Sequence, residues 1–408
     1  MTLAPITVEA ALDKMLDGLD AGALAEPISL ENALHRIAAE QMVSPINLPR
    51  TANAAVDGYG LDLASYQANP DGFFNVSATI EAGHPFDGKL APGQAVRIFT
   101  GAVMPDGPDF VMMHEDCQIE ERDGVLFVQF QKPPKDQLNI RPAGENLHLG
   151  EVLIKAGEVL QPQHIGQLAA AGFDKLAVRP PLQIALCSTG DEIQPVGSEL
   201  QHGQIYDSNR PMLSSFIQQD GHQFVDLGII EDQPETLRAA FEKGLSDADI
   251  LICSGGASDG DKDHTQAVLS DIGAELLFWR LRMKPGRPMA AARLGQKMIF
   301  CLPGNPVAVF VCMKLLVQPI IDQMQGRAIR VPNRMRLKAG FSHKKSPERT
   351  EYLRVRLEEA ADGQTQMQLH GRRGAGVISS LTGADGLVEI PEGISEVREG
   401  DQLAFLPF

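Results

Sequence analysis

The chain has 408 residues, more than one hydrophobic core accommodates, so about two to four domains are expected. Its composition, 43% hydrophobic and 22% charged, belongs to folded domains and excludes a disordered chain. A formal net charge of −17 excludes broad, sequence-independent nucleic-acid binding, which needs a basic face.

The N-terminal stretch carries acids and no basic leader, so no signal peptide is expected. The five cysteines are scattered, with no pair at zinc spacing, and several sit inside apolar runs. The most hydrophobic stretch, Val307 to Ile321, is broken by Lys314, Gln318 and Pro319, too interrupted for a bilayer span. A cytoplasmic protein with no membrane partner is the expectation.

In chain order, residues 7–44 read as helical, with Leu12, Met15, Leu16 and Leu19 on one face and Gly22 as a stop. From about 50 to 140, short alternating apolar runs broken by Gly and Pro predict a β-rich module. Residues 145–177 carry Val152–Ile154 and a helix near His164–Ala171, and would pack back on the N-terminal helices. From Leu182, apolar runs (183–187, 224–227, 249–253, 298–302) alternate with helical stretches, which predicts a doubly wound, mostly parallel α/β sheet. Beyond Val331 the short-strand pattern returns as a small C-terminal β-barrel. The expected division is therefore 1–49 with 145–177 as a helical, linking domain, then 50–144, 178–330 and 331–408.

The chemistry concentrates at strand ends. In Ser254–Asp263, "SGGASDGDKD", Gly255 and Gly256 free the backbone to aim successive N–H groups at an anion, and Ser254 and Ser258 add hydroxyls. Asp259, Asp261 and Asp263 alternate behind them. A calcium loop is excluded, since counting from Asp259 the sixth position is His264 and the twelfth is Ser270. A divalent cation bridging acids to a phosphorylated ligand fits better, magnesium above all; a solvated turn is the plainer alternative. Three further strand ends are decorated alike: Ser188–Glu192, Leu227–Asp232 and Leu302–Pro306. Charge then inverts locally. From Leu276 to Met324 the only acid is Asp322, among Arg280, Arg282, Lys284, Arg287, Arg293, Lys297 and Lys314. A basic pocket in an acidic protein focuses its field on small anions.

These motifs together resemble the molybdopterin molybdenumtransferase family, of the MoeA and gephyrin E-domain type. They run through Val56–Tyr59, Arg97–Ala102, Arg141–Glu145, Ser188–Glu192, Gly203–Arg210, Ser254–Gly256, Lys284–Pro288 and Leu302–Pro306, nearly the whole chain. The resemblance implies a transferase that inserts molybdate into adenylylated molybdopterin, with Mg²⁺ and release of AMP. It implies a homodimer with a shared site, in which Asp57 and Thr100 act in trans. Lys284 and Arg287 would hold molybdate, helped by Arg349 or Arg354. Ser254, Gly255, Gly256, Ser258, Asp207 and the segment Pro303, Gly304, Asn305 and Pro306 would take the pterin phosphate side. Glu192, Asp232 and Asp263 would lie near Mg²⁺ or the scissile pyrophosphate. A molybdopterin adenylyltransferase and recipient molybdoenzymes are the implied partners. The chain departs from the family pattern at Asp259, Ala54, Val56, Asn146, Pro108 and Phe110. A divergent paralogue that binds adenylylated pterin or a related nucleotide without inserting metal is thus the alternative, beside a non-catalytic scaffold.

Overall fold

The structure is a computed structural model and describes residues 4–22, 24–257, 264–330, 333–360, 362–372 and 374–408. At its centre is a six-stranded sheet, ordered Gln223–Ile230, Gln183–Thr189, Ile250–Ser254, Lys297–Leu302, Ala290–Leu294 and Glu275–Phe278. The first four strands are parallel, Ala290–Leu294 runs against them, and the edge strand Glu275–Phe278 turns back to their direction, so the expected doubly wound, mostly parallel sheet is present with one reversed strand.

Alternate residues of each strand feed opposite cores, as the pleat requires. Ile184, Leu186, Ile250, Ile252, Met298 and Phe300 enter one core, packed by the helical runs Asn209–Gln219 and Pro306–Met324. Ala185, Cys187, Leu251, Cys253, Ile299 and Cys301 enter the other, beneath Pro234–Asp247 and Thr265–Asp271. Cys187, Cys253 and Cys301 are register partners, a rank of buried thiols among apolar neighbours. Pro306–Met324 is apolar and long enough to cross a membrane, but most of its length is buried against the sheet. Met313–Val317 forms a π turn within it, just before Pro319, whose missing N–H an unbroken α-helix could not absorb.

The helical expectation for residues 7–44 holds only over Val8–Leu16. That helix buries Val8, Ala11 and Met15 in the core of the central sheet rather than among linking helices. Beyond Gly22 the described residues of the segment form a single 3-10 turn, Leu30–Asn32, among turns and two short strands: Glu26–Ser29 pairs with Lys175–Val178, and Met42–Val43 with Val152–Ile154. Its apolar residues are spaced for packing on those partners, which a one-dimensional period does not distinguish from a helix.

The β-rich module is a second six-stranded sheet, from Phe110–Met113 to Cys117–Arg122, with cores on both faces. Residues beyond 333 form the barrel. Thr350–Glu359 pairs with Thr365–Leu369, then Met335–Ala339, Gln402–Pro407 and Gly386–Ile390, which returns to Thr350–Glu359 and closes it. The short strand Met283–Lys284 leaves the α/β domain and adds to the barrel beside Thr350–Glu351. This junction sets the site.

Candidate active site

Parallel strands deliver their carboxyl ends to one edge of a sheet, where open α/β folds bind ligands. Here Thr189, Gly255 and Pro303, at or just beyond three such ends, line one cleft of about 710 Å³. Gly255 and Gly256 have positive φ, +92° and +70°. A Cβ on Gly255 would stand 2.3 Å from the Thr189 carbonyl oxygen, so only glycine lets the two strand ends approach this closely.

Asn209 ties the edge together. Its Nδ2 donates to Ser254 Oγ at 2.8 Å and to the Gly304 carbonyl at 2.7 Å, joining a helix start to two strand ends. A serine or asparagine just before a proline-initiated helix, as at Ser208 and Asn209, is an ordinary helix cap. The cap is instead made by Asp207, whose Oδ1 accepts from the backbone N–H of Asn209 and Arg210. Asp207 Oδ2, Asn209 Oδ1, Ser188 Oγ and Thr189 Oγ1 are buried and have no hydrogen-bond partner among the described residues. Buried polar atoms are nearly always paired, so this group at one sheet edge is left for water or a bound polar ligand.

Glu192, Asp207 and Asp232 line this cleft with Gly255, Gly256, Pro303, Gly304, Asn305 and Pro306. Tyr206 forms part of its lip, its hydroxyl donating to the Ser198 carbonyl. The barrel contributes Gly376 and Ile378, and its Ala375 carbonyl accepts from Val307 N–H at the start of the Pro306 helix. The assignments to Ser258 and Asp263 lie outside the described residues.

A second cavity, about 490 Å³, adjoins the first and shares Pro288, Pro303 and Asn305 with it. Lys284, Arg287, Lys344, Arg349 and Arg354 line it, so the basic segment and the barrel arginines converge as expected. Arg354 is 5% exposed and partly committed: Nε donates to Ser380 Oγ, and Nη2 to the carbonyls of Arg372 and Gly374. Burial lowers its pKa. Two residues here were not singled out from sequence. Glu351 receives Lys284 Nζ on Oε1 and pairs with His343 Nε2 through Oε2, both at 2.8 Å.

Burial pushes the Glu351 carboxyl up, but the bonds from Lys284 and His343 outweigh it and hold it below the usual 4.5. A depressed folded value means the carboxylate adds stability that is present above the unfolded value and lost as pH falls through the folded one. The stability gap between the native protein and Glu351→Gln is therefore expected to be constant near neutrality and to shrink below about pH 4.5. Urea midpoints measured across that window, with barrel unfolding as the signal, check it; a gap that widens in acid contradicts the pairing.

Asp57 and Thr100 line neither cavity of their own chain. They form an exposed pair in the β-rich module, the Thr100 hydroxyl and N–H donating to Asp57 Oδ1 at 2.6 and 2.7 Å. The Thr100 hydroxyl, then its N–H, hold the Asp57 carboxyl below its usual value. The thiols are the reverse: burial, with Asp116 and Glu115 nearby, pushes Cys117 up to about 12, and burial raises Cys312 as well. Neither is primed as a nucleophile.

Known proteins resemble the chain throughout. Residues 6–172 match the MoeA N-terminal region (domain I and II), 185–323 a probable molybdopterin binding domain, and 336–408 the MoeA C-terminal region (domain IV). A molybdopterin molybdenumtransferase of Haemophilus influenzae is 34% identical over 404 residues, 99% of this chain and 98% of that protein. One from Nostoc sp. is 35% identical over 76% of this chain and 72% of its own length. The crystal structure of a molybdopterin biosynthesis MoeA protein from Pyrococcus horikosii superposes with a TM-score of 0.84 at 30% identity, covering 99% of each chain. With its strand-end cleft, its basic neighbour and this similarity from end to end, the chain belongs to the molybdopterin molybdenumtransferase (MoeA) family of molybdenum cofactor biosynthesis.

Proposed function

We propose that this protein inserts molybdenum from molybdate into adenylylated molybdopterin and releases AMP in a Mg²⁺-dependent step, as a cytoplasmic homodimer. The observation that carries this is the continuity of two unlike cavities across Pro288, Pro303 and Asn305. One is walled by glycine amides, hydroxyls and acids, and suits a phosphorylated, metal-bridged ligand. The other gathers cations at the domain junction and suits a small dianion such as molybdate. A substrate that must meet an oxyanion while losing a nucleotide needs both, side by side.

Lys284 and Arg287 would bind molybdate, with Arg349 and Arg354 completing the basic wall. The amides near Gly255 and Gly256, with Asn305 at the start of the Pro306 helix, would receive phosphate oxygens. Among the described residues no three His, Cys, Asp or Glu side chains form a protein-only metal cage. Magnesium fits such a site, since one or two carboxylates with phosphate and water satisfy it. Glu192 and Asp232 would hold it beside Asp207 Oδ2, which accepts no hydrogen bond from the described residues and lies 3.7 Å from Arg210 Nη1, with Asp263 as a further candidate. Bound there, Mg²⁺ supplies neutralisation of charge on the leaving phosphate. The acids hold its position, and the cleft orients the pterin toward the basic wall. A molybdopterin adenylyltransferase would supply the substrate, and recipient molybdoenzymes would take the product.

Purified protein incubated with adenylylated molybdopterin, Mg²⁺ and molybdate is expected to release AMP stoichiometrically with molybdenum incorporation. Omitting molybdate, or chelating Mg²⁺ with EDTA, is expected to reduce release at least about a hundredfold. AMP release indifferent to molybdate would leave a pterin-binding or hydrolytic protein instead.

A further inference from the structure

Lys284 is an exposed cation of the basic cavity: 60% of its side chain is open to solvent, against 4% for its partner Glu351. A lysine on a flexible four-carbon stem presents an ammonium at no fixed point unless something holds it. Glu351 lies directly beside it in register, where the strand Met283–Lys284 meets the barrel. Its Oε1 takes the ammonium, while Oε2 is engaged from the interior by His343, itself only 7% exposed. The neighbouring Lys345 does not compete, because its ammonium donates to the carbonyls of Ser346, Arg349 and Pro391. Glu351 is also the one acid among the residues lining this cavity.

An acid in an oxyanion pocket is costly by simple electrostatics, since it cancels one of the cations that attract the ligand. Its retention there makes sense if aim outweighs charge. We propose that Glu351, braced by His343, is a positioning residue that fixes the Lys284 ammonium for oxyanion binding. One of the three ammonium N–H donors is committed to Glu351, and two remain for the ligand. This rests on the molybdate reading above.

The sign of one change separates aim from charge. Molybdate alone is titrated into the intact protein by calorimetry, without pterin, so that binding is read apart from turnover. Glu351→Gln is expected to weaken binding about tenfold, because the charge-assisted bond holding the ammonium is lost. If charge alone mattered, removing a carboxylate would tighten binding. In a Lys284→Met background the weakening should vanish, since there is no ammonium left to aim. His343→Gln, which leaves the lysine and the carboxylate in place, should weaken binding in the same direction and by less, so the inference does not depend on one variant folding well. Equal or tighter binding by Glu351→Gln overturns the positioning role while leaving the molybdate site standing. No binding by the native protein overturns that reading and this inference with it.

Discussion

Mixing an Asp57→Asn protein with a Lys284→Ala protein is expected to restore molybdate-dependent AMP release, although each alone should be nearly inactive. Asp57 and Thr100 form a ready-made, exposed pair whose carboxyl is kept ionised by two bonds from one residue. Such a pair, lining neither cavity of its own chain, reaches a cleft only where another subunit's cleft faces it. In a two-fold dimer with a shared site, each cleft takes cations from one chain and Asp57 from the other. Each variant alone then spoils both clefts, and a loss on the order of a hundredfold or more is expected for each. A mixed dimer has one doubly damaged site and one fully native. With random exchange about half the dimers are mixed, so about a quarter of native activity should return. Co-expression with two different tags measures it: the unfractionated mixture should show the quarter, and mixed dimers isolated by tandem purification about half. If the residues act within one chain, mixing returns nothing and the shared-site reading fails.

Much of the architecture was legible because the central sheet is buried on both faces. Strands such as Ile250–Ser254 must then read as unbroken apolar runs, and the helices between them as periodic ones. The glycine pair at 255–256 was legible for a similar reason, since only a backbone constraint explains two such residues behind a buried strand. The N-terminal segment misled because tertiary pairing, not local period, decides residues 26–43. The lining of the candidate site was legible where residue type and strand-end position coincide, as at Lys284, Arg287, Glu192 and Asp232, all of which line the two cavities. It was not legible where chemistry depends on long-range register. Glu351 lies 67 positions from Lys284 along the chain (351 minus 284), and only the strand that crosses into the barrel makes them neighbours. Arg354 was found, but not its commitment to Ser380, for the same reason.

The second large effect is expected at Asn209. Its amide bridges Ser254 Oγ, in a buried bond, and the Gly304 carbonyl, in a part-buried one. Asn209→Ala removes two donors at once and leaves a hydroxyl and a carbonyl to find new partners in a packed edge. Each such loss costs about 1–3 kcal/mol, so about 2–5 kcal/mol of local stability should go. Trp279, the only tryptophan, lies in the core on the far face of the same sheet, so its fluorescence follows this domain rather than the barrel or the β-rich module. Asn209→Asp is the telling comparison. It keeps size and polarity but turns a donor into an acceptor against the Gly304 carbonyl, so it should be at least as damaging as alanine at neutral pH. Because Asn209 also holds two walls of the cleft in register, AMP release should fall further than the loss of folded protein accounts for. Should both variants keep the native Trp279 transition and turnover within about twofold, the tie between strand ends is incidental, and the cleft owes its shape to the glycines alone.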